Sequence, residues 1–467
     1  MKNMKRIPAL TCSAIFAVAA LCLGAARADV PNPTLTGPIA QNVPPGDPSH
    51  DYIFFTDQSV GDFSYVEEEF FIEGTANTYA TPPLATGTVT SSGNPYKTRL
   101  VVRRPTNSQR FNGTVILEWQ NVTAGYDIDA SWIGGNAKHF MREGYAWVGV
   151  SAQRVGVHQA GTGLRAWSPV RYGSLDVTAG GTLVSDQLSY DIFSQAAQAV
   201  MHPVGVDPLP GFDRKRILAS GASQSASRLT IYYNSIEPLT GIFDGYLLLV
   251  GGSTVRGDLG IPVFKVQSET EASFAAAGLT TLQADSDIHR LWQVAGSAHA
   301  DRAFLNGVVA NASRDAIPTT PPGLCNAPEG SEVRLYHVAS RAHDLLVRWV
   351  KTGTPPPTAP RIRTVSPTPP TTIARDALGL ALGGIQHPDI AAPTALNTGQ
   401  NGGPAFCVLF GSHVPFDEAT LEELYPRRND YVTEVLFSTL DNLVRGYIGI
   451  RDAVVVVTEA LQSDVGK

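Results

Sequence analysis

Read from the N-terminus, this 467-residue chain places its most reactive residue types in one order: a serine among small residues, then two glutamates, then a histidine. The serine is Ser223, within Arg216-Ile-Leu-Ala-Ser-Gly-Ala-Ser-Gln-Ser-Ala-Ser-Arg-Leu. A short apolar strand runs into Gly221-Ala222-Ser223-Gln224-Ser225, and a helix pattern with small residues in its first turn follows. A sharp strand-to-helix turn that exposes a serine hydroxyl needs small side chains two positions before and two after it. Gly221 meets the first need and Ser225 meets the second in place of a glycine. The run could also open an ordinary helix, since serine is a common N-cap; the strand before it favours the turn. In that case the Gln224 N–H, at the positive end of the helix, is one donor to an oxyanion.

Both partners that a nucleophilic serine requires occur downstream. Ile261-Pro-Val-Phe-Lys-Val-Gln-Ser-Glu-Thr-Glu reads as a strand ending in Glu269 and Glu271. Leu291-Trp-Gln-Val-Ala-Gly-Ser-Ala-His-Ala-Asp reads as a strand ending in a loop that carries His299. An imidazole there can take the serine proton and return it to a leaving group, while a carboxylate fixes its tautomer. Position a few residues beyond the strand end favours Glu271 as the acid, with Glu269 the alternative. A second oxyanion donor is expected in the loop after Thr114–Trp119, from the backbone N–H of Asn121 or Val122. Asp301 sits two residues from His299, but such a pair without further ligands makes a poor metal site, and no metal or cofactor is expected.

The elements that must hold these residues alternate in type. Strand-like segments are expected at Phe70–Ile72, Thr98–Val102, Thr114–Trp119 and Ala146–Val150, then at Arg216–Ala219, Tyr246–Val250, Val263–Val266 and Leu291–Val294. Several are continuous apolar runs, as in strands buried on both faces. Helical spacing appears at Tyr190–Val200 and Gln224–Ser235, so the alternation predicts an α/β fold with a doubly wound, mostly parallel sheet. Residues 30–61 read as an extended N-terminal arm. About 168 residues follow His299, more than such a core needs. Pro-rich stretches (Pro318–Pro322, Pro355–Pro360, Pro367–Pro370) punctuate them, with helical patterns at Ala339–Thr352, Asp430–Arg445 and Asp452–Gln462. We expect a signal peptide over residues 1–28, a core over 29–310 and a helix- and loop-rich C-terminal extension over 311–467, packed on the core.

The signal peptide rests on Lys2, Lys5 and Arg6, an apolar run from Ile7 to Leu23, and Ala26-Arg27-Ala28 as a cleavage site. The run is short for a membrane span and contains Pro8; Leu21 is too large to precede a lipid-modified Cys22. Cleavage removes four basic residues and no acidic one, taking the formal charge from −7 to −11. So acidic a chain repels nucleic acid and anionic membrane alike. After cleavage only Cys325 and Cys407 remain, and an oxidising compartment, periplasmic or extracellular, favours one disulfide over two free thiols.

Taken together, several segments resemble a family of exported bacterial proteins described as α/β-hydrolase domain proteins. The likeness covers nearly all of the chain after residue 28. It includes Leu117-Glu-Trp-Gln-Asn-Val-Thr-Ala-Gly, Arg171-Tyr-Gly-Ser-Leu and Ser189-Tyr-Asp-Ile-Phe-Ser-Gln-Ala. The turn around Ser223, Gln267-Ser-Glu-Thr-Glu, Ala295-Gly-Ser-Ala-His-Ala-Asp and Cys407-Val-Leu-Phe-Gly-Ser continue it. The resemblance implies a Ser–acid–His hydrolase of the α/β-hydrolase fold, with the C-terminal extension integral to it and the Pro-rich stretches lying on the surface. Two departures stand out: Ser225 replaces a glycine, and Glu271 stands where aspartate is frequent.

Three functions fit these residues. The first is a carboxylic ester hydrolase acting on a small or polymeric ester through an acyl-serine. The second is an acyltransferase on the same triad. The third is a non-catalytic binding protein on the same scaffold, since fold does not fix function. Substrate-pocket residues are expected between Gln153 and Ser185, with Trp167 and Tyr172 as candidates, and in the C-terminal third.

Overall fold

The computed structural model describes residues 30–319 and 323–467. The expected signal peptide, with Cys12 and Cys22, lies outside them. Nine strands form one sheet: β1 (Thr34–Thr36), β2 (Tyr65–Ala80), β3 (Thr88–Pro105), β4 (Thr114–Trp119), β5 (Ala146–Val150), β6 (Arg216–Ala222), β7 (Gly245–Leu249), β8 (Val263–Ser268) and β9 (His289–Val294). Their spatial order is β1-β2-β3-β5-β4-β6-β7-β8-β9. The first strands pair antiparallel, and everything from β5 to β9 pairs parallel. All residues of β4, β5, β7, β8 and β9 are buried; β5 and β7 accordingly read as unbroken apolar runs, while β4, β8 and β9 also bury polar residues such as Glu118, Lys265 and Arg290.

The strand order reverses at β4. The chain passes from β4 to β5 on one side, then crosses to β6 on the other. Loops leaving β4 and β6 therefore diverge, and a crevice opens beyond the carboxyl ends of the strands, where sites of open α/β sheets form.

The eight expected strands and five expected helices all occur, most of them longer than expected. The helix after β6 runs from Gln224 to Ile231 and continues as a π-turn, Tyr232–Ile236. The helix Arg302–Arg314 is an addition to the expected set. The N-terminal arm is largely irregular, yet Tyr52, Ile53, Phe54 and Phe55 are at most 1% exposed, so it belongs to the core.

The C-terminal residues are woven into the same body. Ile385 bridges to Val294 in parallel, prolonging the sheet beyond β9. The helix Leu335–Thr352 buries Leu345, Leu346 and Trp349 on one face. Cys325 and Cys407 form a disulfide with a Cα–Cα distance of 5.4 Å. Beside it, Gly411 takes φ +63°, and a Cβ there would lie 2.3 Å from Thr398 O and 2.7 Å from Ala298 Cβ. Only glycine lets this segment lie so close to the loop that carries His299.

Candidate active site

Ser223 stands between β6 and the helix Gln224–Ile231 with φ +59° and ψ −120°, a region that costs a non-glycine residue about 1–3 kcal/mol. The surroundings hold it there. Its N–H donates to Leu249 O at 2.9 Å. Ser225 Oγ accepts from Ala222 N (3.0 Å) and donates to Ala222 O (2.8 Å), and Asn121 Nδ2 donates to the same carbonyl at 2.9 Å. Ser225 is thus more than a tolerated substitute for glycine, because its hydroxyl ties the turn together. At Gly221 a Cβ would lie 3.0 Å from Leu229 Cδ1 and 3.1 Å from Ser225 C, which explains the small residue there.

The Gln224 N–H opens the helix and has no acceptor within it, as an oxyanion donor requires. For the second donor the sequence left Asn121 and Val122 open, and the geometry excludes the first. The Asn121 N–H is spent on Ile128 O at 3.0 Å, and Ile128 N returns to Asn121 O at 2.8 Å. Among the described residues the Val122 N–H has no acceptor, so Val122 is the remaining candidate. Asn121 instead acts through its side chain, which joins this loop to the serine turn.

The loop is anchored by buried polar groups. Glu118 accepts from Ser131 N (2.6 Å), Trp132 N (2.9 Å) and Trp147 Nε1 (2.9 Å). Asp129 takes Gln120 Nε2 and Arg103 Nη2, each at 2.5 Å, and Arg99 lies 3.5 Å from Asp127. These side chains are almost fully buried; the aspartates face arginines, as a buried charge requires, whereas burial pushes the Glu118 carboxyl up to about 8.

β8 ends at Ser268, which caps the helix Glu269–Ala276 in a reciprocal capping box with Glu271. Glu271 Oε2 accepts from Ser268 N (2.9 Å) and Ser268 Oγ (2.7 Å), while Oε1 lies 2.6 Å from His299 Nδ1. Burial pushes the Glu271 carboxyl up, but the His299 ring and the Ser268 donors outweigh it and hold the carboxyl below its ordinary value. A hydrogen on His299 Nδ1 satisfies this contact and leaves Nε2 as the free acceptor.

Glu269, the other candidate acid, does not touch the imidazole. Its Oε2 accepts from Gly296 N at 2.8 Å and its Oε1 from Arg375 Nη2 at 2.6 Å. It braces the loop after β9 from beneath. Thr270, between the two glutamates, takes the His299 N–H on Oγ1 (3.1 Å) and donates to Gly399 O (2.6 Å). Ala300 N donates to Leu409 O at 2.9 Å, and Ser331 Oγ to Gly296 O at 2.6 Å. The histidine is therefore positioned from β8 on one side and from the C-terminal residues on the other.

Ser223 and His299 line one cavity of about 380 Å³. No direct hydrogen bond joins Ser223 Oγ to Nε2 among the described residues; catalytic hydrogen bonds of a free enzyme are often long and tighten with substrate. The cavity wall is mostly apolar, with Tyr126, Leu249, Phe304, Val308, Phe406 and Leu409 among its members. Asp301 lines it too, but its Oδ1 accepts from Phe304 N at 2.8 Å and caps the helix Arg302–Arg314. Burial pushes the Asp301 carboxyl up to about 7.

Trp167 and Tyr172 do not line the cavity. Trp167 stacks on His50 with ring centroids 4.3 Å apart, and the Tyr172 hydroxyl donates to Glu69 Oε1 at 2.7 Å. Both serve to pack the N-terminal arm. Residues that sequence reasoning passed over are Thr270, the Asn121 and Ser225 side chains, Leu409 and Phe304. All but Phe304 stand within motifs quoted above, so the signal lay there without a way to assign a contact.

The sheet, the strained serine turn and the crevice beyond β4 and β6 define an α/β hydrolase. The chain belongs to the family described as "Alpha/beta hydrolase domain", whose model matches residues 35–458. No curated protein matches it. Among solved structures it is similar to an α/β serine hydrolase without lid from Xanthomonas campestris, at 13% identity over 53% of this chain and 97% of that one, with a TM-score of 0.28. It is also similar to esterase Est22 (14% identity, 56% and 82% covered, TM-score 0.30). Oligopeptidase B from Trypanosoma brucei is a third, at 12% identity and TM-score 0.28, covering 55% of this chain but only 38% of that one.

Proposed function

We propose that this protein is a serine hydrolase of carboxylic esters, with Ser223 as nucleophile, His299 as general base and Glu271 as the acid behind it. The observation that carries the reading is Ser223, held at positive φ, in one cavity with a histidine whose Nδ1 rests on a buried carboxylate. Ser223 Oγ attacks the acyl carbon and its proton passes to His299 Nε2. The oxyanion accepts from the Gln224 and Val122 N–H groups, which are fixed in advance and need no reorganisation. His299 then protonates the leaving alkoxide, and the alcohol departs. A water that gives its proton to Nε2 next attacks the acyl-serine, and the acid leaves as Ser223 recovers its hydrogen.

The test is covalent labelling by a fluorophosphonate probe together with hydrolysis of simple esters. Both are expected in the native chain and absent in Ser223→Ala. Labelling in that variant equal to the native chain would refute the assignment. Adding an alcohol and measuring transesterification separates hydrolase from acyltransferase.

We further propose that the protein is exported, a reading supported by the signal-peptide pattern of residues 1–28 and by the Cys325–Cys407 disulfide, since such bonds persist in oxidising compartments. N-terminal sequencing of the exported protein should begin near residue 29. The hydrogen bonds from residues beyond 310 to the His299 loop support a core at 29–310 with an extension packed on it.

A further inference from the structure

The wall of the cavity that faces away from the sheet comes from two places. One is the helix Arg302–Arg314, which begins three residues after His299 and contributes Phe304 and Val308. The other is the short helix Cys407–Phe410 with the residue before it, which contributes Phe406 and Leu409. The second wall has little core of its own. Cys407 is buried, but Phe406, Leu409 and Phe410 are only half-buried and Val408 is exposed. What holds the segment is the bond to Cys325, which itself lines the cavity, and two backbone contacts, Ala300 N to Leu409 O (2.9 Å) and Ser331 N to Phe410 O (3.1 Å).

The charged groups at the cavity are Asp301, Arg302 and Glu329, and each is engaged. Asp301 caps its helix. Arg302 donates to Glu329 O and faces Glu332, and Glu329 Oε1 accepts from Gly323 N at 2.7 Å. Arg302, the one of the three that could pair with a carboxylate or phosphate, is turned to Glu329 O and Glu332, and Asp301 and Glu329 would repel such a group; the remaining surface suits an uncharged hydrocarbon group.

We propose that the cavity binds the neutral apolar group of an ester and that the Cys325–Cys407 bridge sets selectivity by holding Phe406 and Leu409 against that group. This rests on the serine-hydrolase reading above. Phe406 and Leu409 are specificity residues, and the bridge is a positioning element remote from the reacting atoms. A group that fills the slot gains binding with every methylene it buries. Where that gain is realised in the transition state, kcat/KM rises about fourfold per methylene until the slot is full.

The experiment uses the full exported chain with two ester series. 4-Nitrophenyl esters from acetate to decanoate carry the group on the acyl side, and alkyl acetates from ethyl to decyl carry it on the alcohol side. A rise in one series and its later plateau are expected, and they assign the side of the ester that enters. In Cys325→Ser/Cys407→Ser, and in Phe406→Ala, the ratio of kcat/KM for the best long ester to that for the shortest should fall at least tenfold. Val309→Trp, at a 45% exposed lining position, narrows the slot without touching the bridge and should lower the same ratio. Flat profiles in both native series overturn the proposal, as do variants in which long and short esters fall in parallel. A native chain that neither takes the fluorophosphonate nor cleaves any ester overturns the underlying hydrolase reading instead.

Discussion

Glu271 faces His299 and Ser268 with different oxygens of one carboxylate, so the group that orients the imidazole is also the third residue of a helix cap. A helix start is fixed by its own backbone, and the cap lends that rigidity to the acid. The arrangement holds both oxygens of a long glutamate side chain in place.

The two glutamates should separate cleanly in kinetics. Glu271→Gln is expected to lower kcat by about 10⁴-fold, as loss of the triad carboxylate does elsewhere. Glu269→Gln, which disturbs only the support from Arg375 and Gly296, should cost roughly 1–3 kcal/mol of stability and spare most of kcat. Steady-state kinetics and thermal melts on both variants check this, and the reverse pattern would move the acid to Glu269.

Glu271 also predicts a dependence on pH. Its folded carboxyl titrates below the ordinary value, so the stability it contributes is present above the unfolded value of about 4.3 and is lost as pH falls through the folded one. Melting temperatures between pH 3 and 6 should drop more steeply towards acid in the native chain than in Glu271→Gln. Parallel curves would mean that the pair with His299 contributes no such linkage.

Strain at Ser223 should be measurable as stability. Ser223→Gly removes the Cβ from a backbone that disfavours it, and we expect a gain of about 1 kcal/mol with complete loss of ester cleavage. Ser223→Ala keeps the Cβ and should lose activity without that gain. Equal melting temperatures for the two variants would argue against stored strain.

The oxyanion assignment turns on one backbone hydrogen. Val122→Pro deletes it and should lower kcat by roughly 10²–10³-fold with KM little changed, whereas Val122→Ala keeps it and should keep kcat near the native value. Asn121→Ala removes the bond to Ala222 O and should fall between them. Similar kcat for the Pro and Ala variants would remove Val122 from the site.

Much of this protein was legible before any coordinates. The unbroken apolar runs marked strands covered on both faces, and the small residues around Ser223 marked a turn with no room for larger ones. The chain order of serine, glutamates and histidine pointed to the Ser–acid–His reading proposed above. All of these are local properties, set by backbone geometry and by periodicity within a dozen residues.

What the sequence left open depends on direction rather than type. Glu269 and Glu271 lie two positions apart on one helix turn, which rotates their side chains by about 200°. One therefore meets the His299 ring, and the other meets Gly296 and Arg375. Asn121 and Val122 are neighbours, but the bridge to Ile128 takes one N–H and leaves the next. Part of the cavity wall, Phe406 and Leu409, comes from more than a hundred positions beyond the histidine, brought back by a disulfide and by Gly411, which permits close approach. No local pattern encodes such a return, because its partners meet only once the sheet, the His299 loop and the C-terminal segment have packed together.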